Sequence, residues 1–143
     1  CNAYLFYPIQ RFALIGKKYL TTNEKYYLAD HAFKYARLGT RNINRGRSEE
    51  NIVLLELLRR KYKVYAGILY KNEIDFVAMN SKETLFIQVA DTIEEQSTLE
   101  RETRPLLSLK NGYKKILIAN THQPMYTYEG IEVIDIRDWL LNK

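Results

Sequence analysis

Residues 73–90 read EIDFVAMNSKETLFIQVA, and two of the predicted strands lie within them. Two apolar runs, 73–79 and 84–90, are separated by four polar residues, and a turn across Asn80-Ser81-Lys82 predicts a β-hairpin. Asp75 interrupts the first run and Gln88 interrupts the second. If the two strands pair across the turn, these two polar side chains come close together.

Helices and strands alternate on the C-terminal side of residue 47. Ser48 is suited to cap a helix, because its hydroxyl can accept a hydrogen bond from a first-turn N–H group. Pro105 is expected to break or restart a later helix, because proline lacks the backbone donor. Taken in chain order, the predicted helices and strands indicate an α/β domain. Its first three strands are expected to form an antiparallel meander, and its next helix is expected to cross over to the fourth strand. The predicted elements are a helix at 48–60, strands at 62–70, 73–79 and 84–90, a helix at 95–109, strands at 114–119 and 131–135, and a helix at 136–142.

The first third of the chain differs in charge from the rest. Residues 1–47 hold nine of the 22 Lys and Arg, two of the 17 Asp and Glu, and six of the 12 Tyr. Cations among aromatic side chains suit nucleic acid, because they neutralise phosphates and stack on bases. Solvated basic surface is the simpler interpretation. The predicted phosphate contacts are Arg41, Arg45 and Arg47. The elements expected here are short strands at 3–9, 11–15 and 25–29, a short helix at 31–38 and a loop at 39–47.

The composition is that of an ordinary globular domain, with 46% hydrophobic and 27% charged residues among 143. No apolar run approaches about 18 residues, so no membrane span is expected, and no signal peptide is recognised, so we expect a cytoplasmic protein. The single cysteine, Cys1, excludes an internal disulfide and argues against a cysteine zinc site. The chain does not begin with Met, and we interpret it as a fragment of a longer protein.

Two carboxylates break the apolar pattern. A buried charge is costly unless it is paired, hydrogen-bonded or metal-bound. Asp75 lies within a strand, where side-chain alternation groups it with Val77 on the face opposite Ile74. If that face meets the first helix, Asp75 and Gln88 form one polar cluster with Glu50 of that helix. An alternative role for Glu50 is to cap the helix. Glu50 lies near the middle of the apolar arc of that helix, which is formed by Val53, Leu54, Leu57 and Leu58.

A set of short motifs follows in order along the chain: Gly46 with Glu50-Asn51-Ile52-Val53, Leu55-Glu56-Leu57-Leu58-Arg59-Arg60, Glu73-Ile74-Asp75-Phe76-Val77-Ala78, Ile87-Gln88-Val89, Thr98-Leu99-Glu100-Arg101-Glu102 with Pro105-Leu106-Leu107, and Gly130-Ile131 with Asp138-Trp139-Leu140-Leu141. This set resembles the C-terminal domain of a family of bacterial and archaeal AAA-type ATPases. The stretch Lys25-Tyr26-Tyr27-Leu28-Ala29-Asp30 is similar to the segment that links that family's winged-helix portion to its last domain.

The resemblance covers nearly the whole chain and implies its domain organisation. Residues 1–45 would be the end of a winged-helix-like segment with a basic linker, forming a small β-rich remnant. Residues 46–143 would form a domain similar to the PD-(D/E)XK restriction-endonuclease fold. That fold has a three-layer core, in which helices flank a mixed central sheet.

The resemblance also implies a site. In the nuclease fold, a helix Glu, a strand Asp and a Glu-x-Lys on the next strand bind Mg²⁺ and activate water. The implied catalytic positions are Glu50, Asp75 and Gln88, with Glu50 and Asp75 as the implied Mg²⁺ ligands. Gln88 stands at the Glu position and Ala90 at the Lys position, so one carboxylate and one cation are missing. The candidates for a replacement cation are Lys61, Arg101 and Arg104.

The leading hypothesis is a nuclease-like accessory domain with a degraded site, which contacts DNA or a protein partner. The resemblance implies an upstream P-loop ATPase domain in the same protein. No G-x-x-x-x-G-K motif followed by Ser or Thr occurs here, so the fragment is not expected to bind ATP by that route. Two alternatives stay open: an active Mg²⁺-dependent deoxyribonuclease, and a module that only binds proteins.

Overall fold

The computed structural model describes residues 5–16, 18–30, 32, 36, 39, 45–110 and 112–142. These residues form an eight-stranded mixed sheet with three helices packed against it, which confirms the predicted α/β class. In chain order the elements are β1 (Phe6–Ala13), β2 (Lys18–Leu28), α1 (Arg45–Arg59), β3 (Lys63–Leu69), β4 (Asn72–Met79), β5 (Thr84–Ala90), α2 (Gln96–Leu107), β6 (Lys114–Ala119), β7 (Tyr126–Tyr128), β8 (Ile131–Asp135) and α3 (Ile136–Leu141).

The pairing of the central strands is the predicted one. β3, β4 and β5 form an antiparallel meander, and α2 then crosses over to β6, which lies parallel to β5. β8 continues parallel to β6, and the three-residue β7 closes that edge. β7 was not predicted, because three residues are too few to show an alternating pattern. The strand order is β2-β1-β3-β4-β5-β6-β8-β7.

Each face of the sheet carries its own apolar layer. On one face, Leu57 of α1 and Trp139 of α3 belong to a cluster with Phe76 of β4. On the other face, Leu106 of α2 packs in a cluster with Leu117 of β6. Burying a side chain of this size stabilises the fold by about 1.5–3 kcal/mol. The two clusters make the domain a three-layer structure of helices, sheet and helix.

Strand β4 does not alternate regularly, and the predicted faces are wrong in part. Ile74 and Val77, which alternation places on opposite faces, both belong to the α2 layer. The pairing of β3 with β4 shifts register between Tyr65 and Gly67, which lie opposite Val77 and Ile74. Three steps along β4 therefore match two along β3, as in a β-bulge, and the side chains beyond the irregularity change faces.

The N-terminal strands belong to the same sheet. β1 and β2 pair antiparallel, and β1 pairs in parallel with β3 through Arg11 and Ala66. The described parts of the predicted strands at 3–9 and 11–15 form one strand, β1, with a register shift between Ile9 and Arg11, and residues 3 and 4 lie outside the described residues. The predicted strand at 25–29 is the end of the longer β2. The sheet thus runs across the predicted domain boundary at residue 45, which itself stays a prediction.

The bounds of two helices differ from the prediction. α1 begins at Arg45 and includes the last residues of the predicted loop, 39–47. α2 runs through Pro105 without a break. Pro105 lies in the last turn, so its missing N–H group removes one helical hydrogen bond shortly before the helix ends. The predicted helix at 31–38 lies largely outside the described residues. None of the helices in the described part of the chain combines the length and the apolar character that a membrane span requires.

Candidate functional site

Three carboxylates surround one lysine where β2, β4 and α1 meet. Lys25 Nζ lies 2.8 Å from Glu50 Oε1, 2.7 Å from Glu73 Oε1 and 3.8 Å from Asp75 Oδ1. Glu73 also pairs with Arg11 of β1, at 3.5 Å. We call Lys25, Tyr27, Glu50, Glu73 and Asp75 the Lys25 centre. It joins the N-terminal hairpin to the core of the domain.

Tyr27 supports the centre from the same face of β2 as Lys25, two residues away. Its hydroxyl donates a hydrogen bond to Glu50 Oε1. Its ring is buried and lies 5.6 Å from the ring of Phe76, between centroids. Burial and the negative charge of Glu50 raise the pKa of the Tyr27 hydroxyl well above its usual range. Tyr27 therefore acts here as a neutral hydrogen-bond donor.

Asn51 holds the first half of α1 against the end of β2. Its Oδ1 accepts a hydrogen bond from the Leu28 N–H group at 2.8 Å, and its Nδ2 donates to the Leu28 carbonyl oxygen at 2.7 Å. Asn51 is a buried residue, with 4% of its surface exposed. The Asn51 side chain thus pairs with both backbone groups of Leu28, as a neighbouring strand would. Because Glu50 precedes Asn51, these bonds also hold Glu50 near Lys25.

Asp75 and Gln88 lie where β4 and β5 separate. The backbone ladder between the two strands reaches Phe76 and Ile87 and stops there. Beyond it, Asp75 Oδ2 accepts a hydrogen bond from the Val89 N–H group at 2.9 Å, and Gln88 Oε1 accepts one from the Asp75 N–H group at 3.3 Å. The polar side chains replace the missing ladder bonds, so both are committed to backbone groups of the neighbouring strand.

The Lys25 centre contains three carboxyl groups and one ammonium group, so its charges do not balance. Burial and the negative charge of Glu50 raise the pKa of Asp75 to about 7, against the opposing effects of the Val89 N–H group and Lys25. Burial alone would lower the pKa of Lys25, but Glu50, Glu73 and Asp75 outweigh it and raise that pKa. Lys25 is therefore a permanent cation near neutral pH, while Asp75 changes its charge there.

The structure brings together the three residues predicted from the nuclease-like pattern. Glu50 and Asp75 both contact Lys25, and Gln88 contacts Asp75. Their assignment to catalysis stays a prediction. Lys25 and Tyr27 were missed as site residues, because they lie in a segment interpreted as a linker. The available signal was Lys25 itself, a charged residue two positions before Tyr27 in the predicted strand at 25–29, which is otherwise apolar.

The candidates for a replacement cation lie elsewhere. Lys61 follows α1 at the far end from Glu50, with a positive φ of 63°. Arg101 pairs with Glu102 at 3.0 Å, and Arg104 is exposed in the last turn of α2. Among the ion pairs found in the described ranges, the one that reaches Asp75 comes from Lys25.

The Mg²⁺ implied by the resemblance does not fit these residues as they are arranged. In the part of the chain that the structure describes, no three His, Cys, Asp or Glu side chains are placed to hold a metal ion. The Lys25 ammonium lies among the carboxylates that would be ligands. Gln88 contributes a neutral oxygen that is already bonded to the Asp75 N–H group.

Concave surfaces that carry cations lie at both ends of α1. A cavity of about 340 Å³ opens beside the Lys25 centre, and Arg47 near the start of α1 and the exposed Tyr26 are among the residues that line it. Arg41 and the side chain of Arg45, the other predicted phosphate contacts, lie outside the described residues. A second concavity, of about 650 Å³, lies at the opposite end of α1, and no acidic side chain occurs among its described lining residues, Arg60, Lys61, Lys63, Met79, Asn80, Ser81 and Lys82.

The chain is similar to part of a longer bacterial protein. The chain is 44% identical over 140 residues to a protein of Haemophilus influenzae named "Uncharacterized protein". The match covers 98% of this chain and 34% of the relative, so the chain spans about a third of that protein's length. No protein-family model matches the sequence, and no solved structure matches it. The chain is thus homologous to one domain of a larger protein.

Proposed function

We propose that this chain is an accessory domain of a larger protein, with a nuclease-like arrangement that does not cleave and a surface that contacts DNA. The observation that carries the proposal is the state of the predicted catalytic residues. Asp75 and Gln88 bond to backbone N–H groups, and Glu50 is paired with Lys25. The resemblance to AAA-type ATPases supports an upstream ATPase domain as the source of energy.

The chemistry of hydrolysis supports loss of cleavage. Phosphodiester cleavage in nuclease-like sites needs carboxylates that hold a metal and a cation that stabilises the developing charge. Gln88 supplies no charge and Ala90 no functional group. Both residues are buried. Strand β5 therefore presents no charged side chain at the two positions where a nuclease-like site would have a glutamate and a lysine.

DNA contact is supported by the surface beside the Lys25 centre. Arg47 carries a guanidinium suited to phosphate, and Tyr26, a residue that is 65% exposed, carries an aromatic ring suited to stacking. The N-terminal turn of α1 opens into the same cavity, and its N–H groups favour anions. These features suit a phosphate backbone with an unstacked base.

A plasmid-nicking assay with Mg²⁺ or Mn²⁺ tests the loss of cleavage. We expect no nicking by the wild-type chain above the level of Asp75→Ala. A second candidate function, an active Mg²⁺-dependent nuclease, is favoured by the placement of Lys25 beside Asp75, since this lysine could supply the cation missing at Ala90. Nicking that disappears in both Asp75→Ala and Lys25→Ala would establish that candidate and overturn the proposal.

Binding of duplex and single-stranded DNA at several salt concentrations tests the contact. We expect affinity to fall steeply with salt, and Arg47→Ala to lower the slope of log K against log salt by about 1. Lys82→Ala, in the second concavity, is the matched control and should leave the slope unchanged. Absence of binding at low salt would instead favour a module that only binds proteins.

A further inference from the structure

The Lys25 centre is arranged like a cation site, because three carboxylates lie around one positive group. That positive group is the Lys25 ammonium. We propose that the Lys25 ammonium is the resident cation of this site and takes the place that a divalent metal would occupy between Glu50 and Asp75. The proposal deepens the proposed function and rests on it for the absence of cleavage. It concerns what neutralises the carboxylates, whether or not the domain contacts DNA.

The distances are those of an ammonium group. Lys25 Nζ lies 2.8 Å from Glu50 Oε1 and 2.7 Å from Glu73 Oε1, within the range of charge-assisted hydrogen bonds. Asp75 Oδ1, at 3.8 Å, is beyond hydrogen-bond distance and adds a charge contact on the third side. Magnesium ligands need oxygens at about 2.0–2.1 Å in an octahedron. The carboxylates are spaced for the longer contacts of Lys25.

Two of the carboxylate oxygens that a metal would need already accept hydrogen bonds. Glu50 Oε1 accepts from both Lys25 and the Tyr27 hydroxyl. Asp75 Oδ2 accepts from the Val89 N–H group. A divalent cation would have to displace these donors and to lie within a few ångströms of a positive ammonium, which is strongly unfavourable at a partly buried site. The wild-type centre should therefore exclude divalent cations.

A lysine in the place of a metal ion also has a structural consequence, because Lys25 belongs to a different element of the fold from the carboxylates. The lysine comes from the edge strand β2, whereas Glu50 and Asp75 belong to α1 and β4. The ion pairs of Lys25 therefore hold the hairpin of β1 and β2 against α1 and β4. Removing the ammonium would leave three carboxylates close together, and a divalent cation would then be the available means of neutralising them.

The experiment measures Mn²⁺ affinity by calorimetry and the melting temperature in EDTA or in Mg²⁺ and Mn²⁺, using the whole chain. The variants are Lys25→Met, Lys25→Arg and the matched control Lys115→Met, since Lys115 lies on β6 and donates to the Leu109 carbonyl oxygen instead of to a carboxylate. We expect wild type, Lys25→Arg and Lys115→Met to show no stoichiometric Mn²⁺ binding. We expect Lys25→Met to melt lower in EDTA, to recover in Mn²⁺, and to bind Mn²⁺ at least about tenfold more tightly than wild type.

Two results would overturn the proposal. One is stoichiometric Mn²⁺ binding by the wild type that is lost in Asp75→Asn, which would mean that metal and ammonium share the site. The other is a folded Lys25→Met with no gain in Mn²⁺ affinity. If Lys25→Met does not fold, the titrations of wild type and Asp75→Asn still decide. The nicking assay reports separately on cleavage, so failure of the proposed function and failure of this inference can be told apart.

Discussion

Replacing Asp75 by Asn should stabilise the folded chain above neutral pH. The substitution removes the charge from a carboxyl group whose side chain is 14% exposed, while asparagine Oδ1 can still accept the hydrogen bond from the Val89 N–H group. Lys25 keeps its two shorter ion pairs, to Glu50 and Glu73. The variant thus removes the excess negative charge of the Lys25 centre with little change in shape.

The magnitude follows from the pKa of Asp75, which burial and Glu50 raise from 3.8 to about 7. This is a shift of roughly three units, and one unit corresponds to about 1.4 kcal/mol. Between pH 4 and 7 the folded state therefore holds a proton that the unfolded state has released, and stability falls as pH rises through this window. At pH 8 the ionised carboxyl costs the folded state at most about 4 kcal/mol, and we expect Asp75→Asn to recover about 1–3 kcal/mol of it.

Urea unfolding at pH 5, 6, 7 and 8 measures the effect, with the midpoint and the slope followed separately. The matched control is Asp135→Asn. Burial alone would raise the pKa of Asp135, but hydrogen bonds from Arg137 and from the His122 N–H group outweigh it and lower the pKa. This carboxylate contributes stability above its unfolded pKa and loses it as pH falls, so Asp135→Asn should destabilise the chain at pH 8.

The refuting result is a loss of stability in Asp75→Asn at pH 8, with the two variants changing in the same direction. That outcome would mean that the contact of Asp75 with Lys25, at 3.8 Å, outweighs burial and the repulsion from Glu50. An unchanged pH dependence between 5 and 8 would equally contradict a pKa of about 7 for Asp75.

Two further predictions concern the fold. Asn51→Ala removes both hydrogen bonds to Leu28 and should cost about 1–3 kcal/mol in urea unfolding, and an unchanged midpoint would show that β2 is held by other contacts. Gly67→Ala places a Cβ 3.0 Å from Val77 Cγ2 in the tightly packed sheet and should cost about 1–3 kcal/mol by overpacking. Gly112→Ala, whose Cβ meets nothing within 4 Å, is the control, and equal melting temperatures of the two variants would contradict the packing explanation.

Local patterns were enough to predict the central fold. The hairpin over 73–90 and the apolar arc of α1 depend on periodicities of two and 3.6 residues, which a sequence displays directly. The antiparallel meander followed from the short connections between strands. Glu50 and Asp75 were recognisable as anomalies for the same reason, because a carboxylate stands out within an apolar pattern.

The tertiary structure decided what those carboxylates contact. Lys25 lies 25 residues before Glu50 in the chain, and their contact exists because β2 joins the edge of the sheet beside α1. The pairing of β1 with β3 and the irregularity in β4 depend likewise on partners distant in sequence. Periodicity assigns a residue to a face but not to a neighbour, since the neighbour is chosen by pairing energies summed over the whole sheet. For that reason the acids of this site could be read from the sequence, and the cation between them could not.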